Sequence, residues 1–137
     1  MVGLKQLKCV DSTALLSAFA HTFPRCTRSL AANELGPEGS AAIARALEVN
    51  TSITSLDMDG NAIGEEGGRA IAAALSTNTS LQSLNLERNG LGEVGGTDIG
   101  RALCTEGSQL AALDLSLNYI GPDGGEALGR AEHVGTG

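Results

Sequence analysis

Bulky aromatic side chains are almost missing from this 137-residue chain, which has two Phe, one Tyr and no Trp. An ordinary core has little to fill it, so small residues must let backbone elements approach closely. Histidine is as scarce. His21 and His133 stand at opposite ends of the sequence, so they make no pair, and no Ser-His-Asp or Cys-His constellation is found. The three cysteines, Cys9, Cys26 and Cys104, are odd in number and widely spaced. That argues against a disulfide framework or a zinc site and for a reducing compartment. Cys104 is read as inert, since thiolate activation needs nearby positive charge or a helix N-terminus. No apolar run approaches the ~18 residues of a membrane span. Glycine has no three-residue period, which excludes collagen. The phosphate loop Gly-x-x-x-x-Gly-Lys is missing. These absences lead to the expectation of a chain with no catalytic residues, no metal and no cofactor.

Lysine disappears after Lys8. Residues 1–29 carry Lys5, Lys8, Arg25 and Arg28 against Asp11, a balance of +3, whereas residues 30–137 carry five Arg and fifteen acids, a balance of −10. An acidic body excludes nucleic acid, whose phosphates need a basic surface. It favours a protein partner with a basic surface. The N-terminus lacks the apolar core and cleavage site of a secretory signal. The expected location is therefore cytoplasmic, with an organellar alternative if residues 1–29 act as a transit peptide.

What the chain does have is Gly, Ala and Leu, 19 of each, arranged in a repeat. Ile53-Thr-Ser-Leu-Asp-Met-Asp-Gly-Asn-Ala-Ile-Gly is followed by Leu81-Gln-Ser-Leu-Asn-Leu-Glu-Arg-Asn-Gly-Leu-Gly and by Leu110-Ala-Ala-Leu-Asp-Leu-Ser-Leu-Asn-Tyr-Ile-Gly. The marker asparagines Asn33, Asn61, Asn89 and Asn118 are spaced by 28, 28 and 29 residues. The extra residue falls in 104–109, an expected helix-to-strand loop.

Each unit has two halves with different periods. In Leu84-Asn85-Leu86 the apolar residues alternate, as a short strand requires. After the Asn and a Leu/Ile-Gly step, Ala70, Ile71, Ala74 and Leu75 form a helical stripe, matched by Ala42, Ile43, Ala46 and Leu47. Pro37 and Pro122, each preceded by Gly, suit the first helical position. Glu38, Glu66 and Asp123 follow where acids favour a helix start. Asn50-Thr-Ser52 and Asn78-Thr-Ser80 match the glycosylation sequon, but are read as helix stops in which Asn takes a left-handed backbone. Gly107 would serve the same purpose one repeat later. Asp57-Met-Asp59-Gly-Asn61 resembles the start of a calcium loop, but Ala62 and Gly68 stand where that loop needs Gly and Glu.

The spelling Leu-x-x-Leu-x-Leu-x-x-Asn-x-Leu identifies residues 30–131 as similar to leucine-rich repeats. Their length and Ala-rich helices resemble the ribonuclease-inhibitor-like subclass, found also in NOD-like receptors and Ran GTPase-activating protein. The resemblance implies an α/β solenoid, a short horseshoe with parallel strands on the concave face and helices on the convex face. It covers about three-quarters of the chain.

Residues 1–29 are read as a degenerate N-terminal capping repeat, with a helix near 12–21 and a weak edge strand near 28–30. Residues 30–137 hold the repeats proper, the last incomplete. There Glu132 stands where Leu75 and Leu103 close the earlier stripes. Either Glu126 and Glu132 polarise the last helix, or the chain is a piece of a longer array. The strand near 113–115 would otherwise present an open sheet edge.

The marker asparagines are expected to be structural, bonding backbone groups that the turns leave unpaired. Outward strand positions are Thr54, Ser55, Asp57, Asp59, Gln82, Ser83, Asn85, Glu87, Arg88, Asp114, Ser116 and Leu117. Of these, Asp57, Asn85 and Asp114 should align in one row, and Asp59, Glu87 and Ser116 in the next. With Arg88 they form the candidate partner-binding set, because carboxylates can receive Lys or Arg. Arg45, Arg101 and Arg130 share a helix position, interrupted by Ala73, and are read as a solvated face. The expected function is a non-enzymatic protein-binding module acting through an acidic concave face. The alternatives are a structural subunit or fragment of a larger assembly, and a GTPase regulator, for which no catalytic position carries over.

Overall fold

Strand and helix alternate four times because each repeat switches from alternating to helical periodicity at its Asn-x-Leu/Ile-Gly step. The computed structural model describes residues 26–135 of the backbone and the side chains of residues 29–131. The elements are β1 (Cys26–Ser29), α1 (Gly36–Val49), β2 (Ile53–Asp57), α2 (Gly64–Leu75), β3 (Ser83–Asn85), α3 (Gly92–Leu103), β4 (Ala112–Asp114) and α4 (Gly121–Gly135). The expected helix near 12–21 and the Glu132 side chain lie outside the described residues. The edge strand expected near 28–30 is β1, set slightly earlier.

The strands form one parallel sheet in the order β1-β2-β3-β4. The register joins Leu56 to Leu84 to Leu113 on one face and Asp57 to Asn85 to Asp114 on the other. All four helices cover the leucine face. Ile43, Leu47, Leu56, Met58, Ile71, Leu84, Leu86 and Ile99 are at most 1% exposed there. One parallel strand and one helix per repeat make this an α/β solenoid.

Asparagine side chains knit the turns. The Asn61 carboxamide donates to Leu30 O at 2.9 Å and to Met58 O at 2.8 Å, and its Oδ1 accepts the Asn33 N–H at 2.9 Å. Asn89 donates to Met58 O and accepts from Asn61 N at 2.8 Å. Asn118 donates to Leu86 O and accepts from Asn89 N at 2.9 Å. Each side chain thus satisfies its own turn and the one before it, where water cannot reach.

Helix starts use the neighbouring repeat instead of a side-chain cap. Leu35, Ile63 and Leu91 occupy the cap positions without a side-chain hydrogen bond. The next residues, Gly36, Gly64 and Gly92, donate to Asn61 O, Asn89 O and Asn118 O at 3.0, 3.0 and 2.9 Å. Their φ values of 63–66° explain the glycine, since a Cβ is disfavoured there.

The helix stops differ from expectation. Asn50 is extended, with φ −82° and ψ 133°, and Asn78 has no positive φ. Neither uses a left-handed backbone. Their Oδ1 atoms accept the N–H groups of the next strand entry, from Ile53 at 2.8 Å and Leu81 at 2.8 Å. Asn78 also donates to Leu47 O at 2.7 Å, which makes a second asparagine ladder on the opposite edge of the core. Gly107 does take a positive φ, +98°.

The buried helix stripe is wider than one face, because each helix touches the sheet and also at least one neighbouring helix. Ala44 and Ala72 are buried for that reason, whereas Ala70 is only partly so. The contact is close enough to demand small residues. A Cβ on Gly68 would lie 3.2 Å from Gly95 Cα, and one on Gly100 would lie 2.7 Å from Ala127. Ser40 fills the place of Gly68 in α1, fully buried with its hydroxyl donated to Gly36 O at 2.6 Å.

Candidate binding face

The sheet face away from the helices is uncovered among the described residues, and alternation along the strands puts its polar side chains there. Ser29, Asp57, Asn85 and Asp114 stand in one row by strand register. The next row, Asp59, Glu87 and Ser116, follows from the bonds Gly60 N to Glu87 O and Arg88 N to Ser116 O, both 3.0 Å. The sequence-derived binding set is therefore brought together on one surface, half-buried at Asp57, Asp59, Asn85 and Glu87 and exposed at Arg88, Asp114 and Ser116.

These side chains also shape the strand ends. Asp57 Oδ1 accepts the Asp59 N–H at 3.1 Å, Asn85 Oδ1 the Glu87 N–H at 2.9 Å and Asp114 Oδ1 the Ser116 N–H at 2.9 Å. Each is an Asx turn that bends the chain out of the strand. Sequence reasoning missed this second role. Its signal was present in the recurrence of Asp or Asn two residues before each turn. Bonding to Ser116 holds the Asp114 carboxyl below the usual range.

Arg88 changes the charge of the face. It sits at φ 52°, so the left-handed backbone swings its side chain back over the preceding repeat. Its Nε and Nη2 donate to the two oxygens of Asp59 at 3.0 and 2.5 Å, and Glu87 lies 3.8 Å from Nε. The fork from Arg88 holds the Asp59 carboxyl below its ordinary value, against some burial and the negative charge of Asp114. Asp59 is thus already paired, and the most open acidic side chain of the two rows is Asp114.

The helix face carries a cleft of about 450 Å³ between α3 and α4, lined by Thr97, Arg101, Cys104, Asp123, Glu126, Ala127 and Arg130. Its two arginines face acids of their own helices, Arg101 with Asp98 at 3.9 Å and Arg130 with Glu126. The Cys104 thiol is free and partly buried. No group of three or more His, Cys, Asp and Glu suited to a metal ion occurs among the described residues. Among them, too, no helix is long and apolar enough to cross a membrane.

Comparison with solved structures supports the fold. The structure of leiomodin-1 actin-binding site 2 superimposes with a TM-score of 0.71 at 24% identity, covering 98% of this chain and 79% of that one. The tropomodulin C-terminal domain of Caenorhabditis elegans gives 0.53 at 14% identity, covering 93% and 94%. No curated relative matches the sequence. The Leucine Rich repeat family matches residues 49–72, 77–100 and 110–129. With its repeated strand–turn–helix units and their asparagine ladder, the chain is a leucine-rich-repeat protein.

Proposed function

We propose that the chain is a non-enzymatic module that binds a protein partner on the open sheet face. Asp57, Asp59, Asn85, Glu87, Arg88, Asp114 and Ser116 make the contacts. The observation that carries this reading is the register of Asp57, Asn85 and Asp114, three polar side chains in one row on a face that no helix covers among the described residues. Strands and asparagine ladders hold the row in place, so binding orders little of the backbone. The partner presents Lys or Arg to the carboxylates, and its affinity falls as salt rises. Arg88 gives the face polarity as well as charge, with one paired corner at Asp59 and an open one at Asp114.

Actin is the first partner to assay, because the matching region of leiomodin-1 is an actin-binding site. Co-sedimentation with actin and titration with a Lys-rich peptide are run on the wild type, on Asp57→Asn with Asp114→Asn, and on Asp57→Lys with Asp114→Lys. The Asn pair keeps an oxygen for each Asx turn while removing charge. It should weaken binding, and the Lys pair should abolish it. Equal affinity in all three proteins would remove this face from the interface.

A further inference from the structure

Two positions in each strand-to-helix turn take a left-handed backbone. Ala32, Gly60, Arg88 and Leu117 hold the first, at φ 54°, 66°, 52° and 56°. Glu34, Ala62, Gly90 and Tyr119 hold the second, at 52°, 52°, 65° and 55°. Ala62, Arg88 and Gly90 are exposed although a described repeat lies on either side of them, so exposure here is a property of the turn. Small or polar residues suit such places, because a left-handed backbone is costly for a bulky L residue. The turn after β4 departs from that pattern. It carries Leu117 and Tyr119, 68% and 89% exposed, on either side of the buried Asn118. The other large apolar side chains exposed among the described residues, Val49 and Val94, stand singly on α1 and α3. Leu117 also takes the place of a cation. Arg88 neutralises Asp59, whereas Asp114 enters no ion pair among the described residues. Its Oδ1 accepts the Ser116 N–H at 2.9 Å, at the head of the same turn.

We propose that Asp114, Leu117 and Tyr119 form the anchor of the open sheet face, and that the partner segment seated there pairs a Lys or Arg with an adjacent leucine or aromatic residue. This rests on the open-face reading and names the chemistry of its partner. The cation meets the Asp114 carboxylate. The apolar side chain lies on Leu117 and the Tyr119 ring, whose face also takes the stem and charge of the cation. Both halves are needed. A segment of cations alone leaves Leu117 and Tyr119 in water, and an apolar one buries Asp114 without a partner, at a cost. Charge complementarity selects the occupant. Residues 30–137 balance at −10, so a second copy of this body would bring like charge against Asp114. A tyrosine fits such a place, since its rigid ring supplies contact area with few rotamers to freeze. The left-handed backbone at Tyr119, for which 89% exposure leaves no packing reason, then serves recognition.

The test uses the full chain with two synthetic peptides, one of repeated Lys-Phe-Gly and one of repeated Lys-Ser-Gly. The chain has one tyrosine and no tryptophan, so its tyrosine fluorescence reads Tyr119 alone. The Lys-Phe-Gly peptide should shield that fluorescence from quenching by acrylamide. It should also bind about tenfold more tightly than the Lys-Ser-Gly peptide, as measured by the anisotropy of a labelled peptide. Leu117→Gly and Tyr119→Gly should each bring the two affinities toward parity. These variants copy Gly60 and Gly90, which hold the same left-handed positions in earlier repeats, so the fold is kept. Equal affinities for the wild type, or an advantage of Lys-Phe-Gly that survives in both variants, overturns the proposal and leaves the open-face reading standing. Shielding of Tyr119 that rises with the concentration of the chain alone overturns it in favour of contact between copies. Failure of the open-face reading shows differently, as unchanged affinity of the Lys-Ser-Gly peptide for Asp57→Asn with Asp114→Asn. That result removes the carboxylate half of the anchor and overturns the proposal together with the reading.

Discussion

Arg88 reaches back across a repeat boundary and holds Asp59 with two hydrogen bonds, Nε to Oδ1 at 3.0 Å and Nη2 to Oδ2 at 2.5 Å. The pair divides the open sheet face into a neutralised corner at Asp59 and an open one at Asp114. It also makes the protonation of Asp59 report directly on Arg88.

In Arg88→Ala the Asp59 carboxyl loses the interaction that lowers its pKa. Its NMR titration midpoint should rise toward the ordinary aspartate value of about 3.9. A depressed carboxylate pKa stabilises the fold above that value, and the contribution fades as pH falls through the lower folded midpoint. Loss of stability on acidification should therefore be shallower in the variant between those two midpoints. At neutral pH the variant should lose little stability, because the pair is solvent-exposed. An unchanged Asp59 midpoint would show that the pair does not persist in solution.

Asn61→Ala removes a side chain that serves Leu30 O, Met58 O and Asn33 N at once. Buried groups left without partners cost about 1–3 kcal/mol each, so urea denaturation should show a loss of about 3 kcal/mol or more. Asn33→Ala should cost less, because Asn33 is only partly buried and, among the described residues, donates only to Leu30 O and Ala31 O. Equal losses at both sites would contradict the account of the ladder.

Gly100→Ala adds a methyl 2.7 Å from Ala127 in the next helix. The helices must part, at a cost of about 1–3 kcal/mol. Gly129→Ala meets nothing within 4 Å and should be neutral or stabilising by up to about 1 kcal/mol through helix propensity. Melting temperatures of the two variants should move in opposite directions, or the second should not move at all.

Tyr119 adopts φ 55° while 89% exposed. Its counterpart one repeat earlier is Gly90, at φ 65°. A left-handed conformation costs an L residue about 1–2 kcal/mol, part of which is offset by the greater freedom of glycine when unfolded. Tyr119→Gly should therefore range from neutral to about 1 kcal/mol more stable in chemical denaturation. A clear loss would assign the tyrosine a packing role that its exposure does not suggest.

Much of this architecture was legible from Asn33, Asn61, Asn89 and Asn118. Their spacing defined the unit, and the alternation around Leu84 and Leu86 told which strand residues face the helices. What stayed illegible depended on backbone direction. Arg88 reads as one more outward residue until its positive φ turns it onto Asp59, 29 positions earlier. Asn50 and Asn78 look like left-handed stops because asparagine tolerates that conformation. They bond through their side chains instead, which leaves the backbone extended at Asn50. The width of the buried stripe was hidden for a related reason. Ala72 and Gly100 face neighbouring helices, and single-helix periodicity says nothing about neighbours.

The glycines and alanines between the helices act as a ruler for the opposite side of the molecule. Strands stack about 4.8 Å apart and helices about 8–10 Å apart, so each repeat is a wedge, and the helix spacing sets its angle. Gly68 against Gly95 and Gly100 against Ala127 keep the thick end of the wedge thin. A larger residue at either point would open that end and pinch the sheet side together. It would thereby alter the reach between Asp57 and Asp114 without touching either one. The open sheet face is therefore tuned from behind, by residues on the far side of the core.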